Sequence, residues 1–405
     1  MDVGLAQLLD PLPVERFRRD SFEQAPVLIE RAAPRWLGSL PRAADLDGLV
    51  RRAAAAKNVW LVKQGAPYPA SPEAMGSILG AYRQGATVVV RKAHLEHDAV
   101  SALATTLEAE LGQPVTINVY ATPPGAQGFK EHADGHDVFV LQLSGQKRWR
   151  VYRPVIELAL DAQITRPPPL EEQLRPPPAE GFGEPLLETT LRPGHLLYLP
   201  RGFVHAASTN DEGSIHLTIG LHGLRRVELL SALLAEVAER ARALRETLPL
   251  LGRDPGAELR SLRELVSGFA DLAQDEAVLR AALARAARRQ AGQSSGAQRG
   301  SFLAVDRLAQ LEINTPLLRK PGIQAVAFPE YGRAAVEFSG NRVEGPIEIL
   351  SSLEFVANTS RLTPAELPGP LSAEAKITLC RRLISEGLLV ETDAFTAAGS
   401  HSWGQ

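Results

Sequence analysis

His132-Ala133-Asp134 sets an imidazole and a carboxylate two residues apart, and His205 adds a second imidazole after a Pro-Arg-Gly turn at 200–202. In an extended strand the side chains repeat with period two, so His132 and Asp134 point to one face and can converge on a single ion. His205 then stands at the mouth of a strand that could lie beside the first. Two imidazoles and one carboxylate leave open positions on an octahedral metal. That is the donor set of non-haem iron(II) oxygen chemistry, whereas structural zinc closes all four of its positions. An His-x-Asp pair taken alone is common, and its histidine is usually a surface or hydrogen-bonded residue. The adjacent His136-Asp137 shows how readily such pairs arise. These two residues face opposite sides of a strand and are read as structural, or as supports for the ligands.

Lys147 is the second anchor. A 2-oxoglutarate cosubstrate would bind such a metal through its keto-acid end, and its far carboxylate would need a buried cation. Alternation through the run Gln146-Lys147-Arg148-Trp149 puts Lys147 and Trp149 on one face and Arg148 on the other. Alternation alone does not choose between Lys147 and Arg148. Asn118 and Tyr120 share one face of the preceding strand and could hydrogen-bond cosubstrate or substrate. Polar residues on one strand face are, by default, simply its solvent side. Ser214, His216 and Thr218 alternate on a late strand with the same ambiguity.

The elements that must position these residues fall between 115 and 222. Strand-like runs recur there between turn signals: VTINVYA, HDVFVLQLSG, QKRWRVY, HLLYLP and SIHLTIGL. Their spacing predicts an antiparallel all-β barrel or sandwich, with Ser144-Gly145 as a hairpin turn. The proline-rich stretch 160–190 reads as an irregular insertion between barrel strands. Before the barrel, APVLIER (25–31) and ATVVVRK (86–92) read as strands. DAVSALATTLEAEL (98–111) reads as a helix capped by Asp98 and stopped by Gly112 and Pro114.

From Val227 the period changes to that of amphipathic helices, first VELLSALLAEVAERARALRETL, then GAELRSLRELVSGFADLAQDEAVLRAALARAARRQ. AGQSSGAQRGS (291–301) is the best linker candidate. Beyond it, VAFPEYGRAAVEFSG predicts a hairpin, PIEILSSLEFVAN, TPAEL and SAEAKITLCRRLISEG three helices, and LLVET a strand. Helices followed by a strand pair suggest a winged-helix module. From 302 onward nine basic residues stand against twelve acidic ones, so this module lacks the charge that drives contact with DNA phosphates.

The 405 residues allow two or three domains and a large core. A formal net charge of −3 gives no general pull toward nucleic acid or anionic membrane. The single cysteine, Cys380, can make neither an internal disulfide nor a cysteine metal cluster. The N-terminus lacks the basic start and apolar run of a signal peptide, and no apolar run approaches the roughly 20 residues of a membrane span. A cytoplasmic protein is expected.

HADGHDVFVLQLSGQKRWRVY, followed by PGHLLYLPRGFVHAA and SIHLTIGL, resembles the JmjC-type cupin oxygenases, which use iron(II) and 2-oxoglutarate. More narrowly it resembles the ribosomal oxygenase branch, which hydroxylates histidine or arginine side chains of large-subunit ribosomal proteins. The specific motifs cover about 112–222. The resemblance implies an α+β chain of three parts. These are a JmjC/cupin double-stranded β-helix (jelly-roll) over 1–224, a helical dimerisation segment over 225–295, and a winged helix that does not bind DNA over 296–405. It implies His132, Asp134 and His205 as iron ligands. It also implies Lys147, in preference to Arg148, as the partner of the 2-oxoglutarate carboxylate. Asn118 and His216 match positions around the cosubstrate and Tyr120 a position near the substrate. His195 departs from the pattern, standing where the family's PG-x-LLY turn usually carries Asp.

The expected activity is hydroxylation of a protein side chain, by a homodimer. A small-molecule or peptide-tailoring hydroxylase would use the same chemistry. A non-catalytic cupin binding module would have no need of polar residues inside a barrel. Histone demethylation finds no support in an acidic tail without reader modules.

Overall fold

The computed structural model describes residues 3–160, 182–247, 254–293 and 301–395. The chain forms two compact units, Met1–His222 and Gly223–Gln405. The strands of the first unit are β1 (Val27–Ile29), β2 (Val59–Lys63), β3 (Ala66–Pro67), β4 (Thr87–Val90), β5 (Val115–Thr122), β6 (Asp137–Gly145), β7 (Lys147–Val151), β8 (Leu187–Leu191), β9 (Leu196–Leu199), β10 (His205–Ser208) and β11 (Ser214–Leu221).

They build an eight-stranded sheet, in the order β1-β9-β6-β11-β5-β4-β2-β3, and a three-stranded sheet, β10-β7-β8. The large sheet is buried on both faces. Ile117, Val119, Phe139, Leu141, Leu217 and Ile219 face helical residues such as Leu103, Leu107 and Phe17 in one apolar core. On the opposite face Val138, Val140, Leu197 and Leu199 meet Trp149, Val151 and Leu191 of the small sheet. Period-two alternation in β5, β6 and β11 therefore separates two interiors, not core from solvent.

Phe17, on the helix Val14–Asp20, is fully buried, with its ring 5.5 Å from Phe139 and 4.8 Å from Tyr198. Burying a ring of this size contributes roughly 2–3 kcal/mol and fastens the N-terminal helices to the strands that lead to the candidate site.

Several local expectations need correction. Ser144-Gly145 is no hairpin: β6 pairs with β9 and β11, and β7 pairs with β8 and β10, so the turn carries the chain from one sheet to the other. Gly145 takes a left-handed φ of 63°, and a Cβ there would lie 1.7 Å from the Gly213 carbonyl oxygen, so only glycine fits this corner. Asp98 is the first residue of the helix Asp98–Leu111, and His97 takes the cap position. Gly112 ends that helix in the left-handed conformation, as expected. Most of the proline-rich stretch, 161–181, lies outside the described residues, as does 294–300 of the linker candidate.

In the second unit the helices are Arg226–Arg240, Pro255–Leu272 and Glu276–Ala291. The first stops at Arg240, short of the expected run, and a 3-10 turn follows at Arg242–Arg245. The tail adds two three-stranded sheets. One is β13 (Ala325–Glu330), β14 (Arg333–Phe338) and β15 (Asn341–Pro346). The other sets β12 (Leu317–Arg319) between β16 (Arg361–Leu362) and β17 (Leu389–Glu391). Helices Leu350–Asn358 and Ala373–Ser385 share a core with them that holds Cys380. The segment TPAEL makes only a 3-10 turn, Pro364–Glu366. Helix Glu276–Ala291 lies against β13, with the Arg288 guanidinium 4.0 Å above the Phe328 ring.

Candidate metal centre

The cleft between the two sheets gathers the chemistry-bearing residues. His132 lies on the loop between β5 and β6, not on a regular strand, and Asp134 lies in irregular backbone two residues on. What aligns them is a single antiparallel bridge from His132 to His205, the first residue of β10. Asp134 is held by its own backbone, whose carbonyl accepts the Gly202 N–H at 3.0 Å. One donor atom from each of His132, Asp134 and His205 lies within 4.8 Å of the others. His205 Nε2 is 3.7 Å from Asp134 Oδ2.

The protonation pattern suits a cation. His132 Nδ1 lies 2.9 Å from the Lys130 carbonyl oxygen and His205 Nδ1 3.0 Å from that of Phe203. A carbonyl only accepts, so both Nδ1 atoms donate, which leaves Nε2 as the nitrogen each neutral ring can offer to a cation. Burial, then the neighbouring His132, pushes His205 down to about 4, keeping it neutral. Burial alone would raise the Asp134 carboxyl, but His136, His205, His132 and His222 outweigh it and hold the group in its anionic range. Two imidazole nitrogens and a carboxylate brought together in this way are the donor set of a divalent metal with open positions.

Lys147 opens β7 and is buried in the same cleft. Its Nζ donates to Thr122 Oγ1 at 3.0 Å, and no carboxylate pairs with it among the described residues. Burial pushes its ammonium down to about 7. Arg148, on the other face, is exposed and paired with Glu188. His216 stacks on Tyr120, with ring centroids 4.8 Å apart and planes 8° from parallel. Burial, then the Lys147 charge, keeps His216 neutral. Tyr120 lines the cleft, and desolvation followed by the Asp134 charge raises its hydroxyl. Asn118 accepts the Lys92 N–H at 3.0 Å, and its side chain acts on the Tyr120 hydroxyl in the direction that lowers its pKa, against the larger effect of burial. Asp137 receives the Tyr198 hydroxyl and the Arg201 N–H, tying the Pro-Arg-Gly turn to the start of β6.

Sequence reasoning singled out neither Trp149 nor Thr87 as site residues. Trp149 packs over His205 at 5.9 Å and edge-on to His216 at 5.6 Å. Its indole Nε1 and the His216 Nδ1 are buried without a partner among the described residues. The alternation that put Trp149 on the Lys147 face was the available signal. Thr87 comes from β4, outside the predicted barrel, and carried no signal of its own. The cleft opens to solvent and is lined by Thr87, Tyr120, Phe129, Lys147, Trp149 and His216 around the three candidate ligands.

Two facing sheets with a His-x-Asp and a distant His converging between them can hold a metal ion, and residues 93–229 match the family described as the JmjC domain. That segment is similar to the JmjC domain, and curated relatives that the chain matches are ribosomal oxygenases. Human ribosomal oxygenase 1 is 35% identical over 229 residues, covering 53% of this chain and 34% of that protein. Rat ribosomal oxygenase 2 is 31% identical over 264 residues, covering 60% and 53%. The chain thus spans about a third to a half of the length of these curated relatives. The solved structure of YcfD, a ribosomal oxygenase from Escherichia coli in complex with cobalt and 2-oxoglutarate, aligns with 94% of this chain and 99% of its own. The TM-score is 0.57 at 17% identity, so the shared fold extends well beyond the matched domain.

Proposed function

We propose that this protein is an iron(II)- and 2-oxoglutarate-dependent hydroxylase acting on a histidine or arginine side chain of a large-subunit ribosomal protein. One observation carries the reading: a two-imidazole, one-carboxylate cluster shares its cleft with a buried lysine that has no anionic partner among the described residues. The names of the relatives and the ligands of YcfD support the choice of metal, cosubstrate and substrate class.

In this reading His132, Asp134 and His205 hold the iron. Iron(II) and 2-oxoglutarate together supply the oxygen activation, with succinate and CO2 as coproducts. Lys147 takes the far carboxylate of the cosubstrate, which restores its ammonium form. His216 and the indole N–H of Trp149 turn their unpartnered nitrogens to the same ligand. Tyr120, stacked on His216 with Asn118 beside it on β5, faces the incoming side chain. The rings of Tyr120, Phe129 and Trp149 wall the cleft and keep bulk water from the reacting atoms.

The helical segment 225–295 is assigned to homodimerisation. Helix Pro255–Leu272 buries none of its own residues, although Leu259, Leu262, Val266 and Phe269 mark out one apolar stripe. A second copy presents the same stripe and can cover it by two-fold pairing. The tail, 296–405, is read as an acidic winged helix without a direct DNA role. Among the described residues no helix is long and apolar enough to cross a membrane, which accords with a cytoplasmic location.

The test is incubation with iron(II), 2-oxoglutarate and ribosomal-protein peptides, followed by intact-mass detection of one added oxygen. Cosubstrate turnover with no oxygen on any ribosomal peptide would redirect the assignment to a small-molecule or peptide-tailoring hydroxylase. Failure to bind metal or cosubstrate would leave a cupin binding module.

A further inference from the structure

The Pro-Arg-Gly turn (200–202) between β9 and β10 reaches two of the three candidate ligands. Its Gly202 N–H donates to the Asp134 carbonyl at 3.0 Å, and the Arg201 N–H beside it donates to Asp137 Oδ1 at 3.2 Å. Two successive amides thus hold both ends of the segment 134–137. The same turn leads into Phe203, whose carbonyl accepts from His205 Nδ1 at 3.0 Å. The seating of the turn therefore sets Asp134 against His205, whose Oδ2 and Nε2 stand 3.7 Å apart.

A charge cluster that begins outside the matched segment seats the turn. The Arg201 side chain is only 11% exposed; its guanidinium pairs with Glu23 and lies 3.3 Å from Asp137 Oδ2. Burial raises the Asp137 carboxyl, and the Arg201 charge is the largest effect opposing that rise. One cation thus stands between two carboxylates. Glu23 is held at its main chain too, its N–H donating to the Tyr198 hydroxyl at 2.9 Å. That hydroxyl donates in turn to Asp137 Oδ1 at 3.1 Å, which closes the network.

The backbone of Glu23 adds an independent observation. It follows the helix Val14–Asp20 with a φ of 57°, a left-handed conformation that glycine fills readily and a residue with a Cβ does not. Glutamate at such a position keeps a carboxylate where the main chain alone would favour glycine, and the contacts of that carboxylate are what offset the strain.

We propose that Glu23 is a positioning residue for the metal centre: through Arg201 it fixes the Pro-Arg-Gly turn, and through the turn the geometry of Asp134 against His205. This rests on the metal-binding reading above. It gives the N-terminal segment, far ahead of residue 93, a part in a site whose candidate ligands all lie within the matched segment. Ligand atoms must be held to within about half an ångström of their working positions, and a turn free to rock does not hold them so.

The experiment measures manganese(II) affinity by calorimetry, the visible spectrum of the cobalt(II)-loaded protein and the metal-free melting temperature, all on the full-length chain. Glu23→Gly suits the backbone and removes the carboxylate, so it separates stability from positioning. Its melting temperature should stay within a few degrees of the wild type, while manganese affinity falls about tenfold and the cobalt bands shift. Arg201→Met should lower affinity at least as far, and Arg201→Lys, which keeps the cation, should retain most of it. Combining Glu23→Gly with Arg201→Met should cost no more than Arg201→Met alone, because both act through one turn. Wild-type affinity and an unshifted cobalt spectrum in Glu23→Gly overturn the proposal. If Arg201→Met does not fold, Glu23→Gly beside Arg201→Lys decides it. A wild-type protein that binds no manganese instead overturns the metal-centre reading, which is a separate outcome.

Discussion

His132 and His205 are joined twice, once through their backbones and once through their rings. The His132 N–H donates to the His205 carbonyl at 3.0 Å, the His205 N–H returns to the His132 carbonyl at 2.7 Å, and the ring centroids stand 4.3 Å apart. The main chain, rather than the side chains, fixes the separation of the two imidazoles. Each ring is then turned by its Nδ1–H bond to a carbonyl two residues upstream. The site is prearranged by parts that survive loss of either side chain.

That relationship makes the metal test clean. In His132→Ala the bridge persists, because both of its hydrogen bonds are main-chain. The metal-free variant should therefore unfold within a few degrees of the wild type. Its manganese(II) affinity should fall by about 100-fold or more, beyond the roughly 10- to 100-fold that loss of a supporting partner costs a metal site. Calorimetric metal titration beside a thermal melt reads both quantities. Undiminished metal affinity would remove His132 from the ligand set.

Lys147 makes stability and cosubstrate binding respond to pH in opposite directions. Its ammonium is pushed down to about 7 in the folded chain, against about 10.4 when unfolded. Between those values the unfolded chain binds more protons, so this group makes the ligand-free protein more stable as pH rises from 7 toward 10. The far carboxylate of 2-oxoglutarate needs the charged form, so its affinity should decline as pH climbs past 7. Urea unfolding at pH 7 and pH 9 reads the first effect and calorimetry on the manganese form the second. Lys147→Met should flatten both dependences. A cosubstrate affinity that holds constant across this range would place the carboxylate elsewhere.

The corner at Gly145 should tolerate no side chain. Gly145→Ala combines a left-handed φ with overlap of a main-chain oxygen, neither of which a rotamer change relieves. The expected loss is about 3 kcal/mol or more, read as a lower urea midpoint with an unchanged slope. A midpoint equal to that of the wild type would mean that the two sheets can part at this turn without cost.

This same corner shows where the sequence stops being legible. Ser144-Gly145 between two strand-like runs has the local chemistry of a hairpin, and only the pairing of β6 and β7 with different partners reveals a change of sheet. The polar face of β5 and β11 is a similar case. Tyr120 and His216 read as a solvent side until a second sheet closes over them, because alternation reports that two faces differ and not what covers each. The convergence of His132, Asp134 and His205 was legible because His-x-Asp has a spacing with a mechanism and His205 follows a recognisable turn. The place of Thr87 in the cleft lining was not, since it is set by pairing with a strand whose Thr122 lies 35 residues away. Lys147 could be separated from Arg148 only by family resemblance; the structure adds that one is buried and the other exposed and paired.

The helix Pro255–Leu272 gives the last prediction. Leu262 is 56% and Val266 59% exposed, and with Leu259 and Phe269 they recur at the three- and four-residue steps of a single helix face. An isolated helix of this length is marginal in water, so its apolar stripe is where its stability must come from. Pairing with a second copy, as proposed, would cover the stripe and make folding of this segment depend on protein concentration. Light scattering should give twice the chain mass for the wild type and a single chain mass for Leu262→Glu combined with Val266→Glu, since two buried like charges facing their symmetry mates cannot be accommodated. The first unit carries the candidate metal ligands, so manganese affinity should stay at the wild-type value in the monomeric variant. A wild-type protein that runs at one chain mass at micromolar concentration would leave the stripe without its proposed partner.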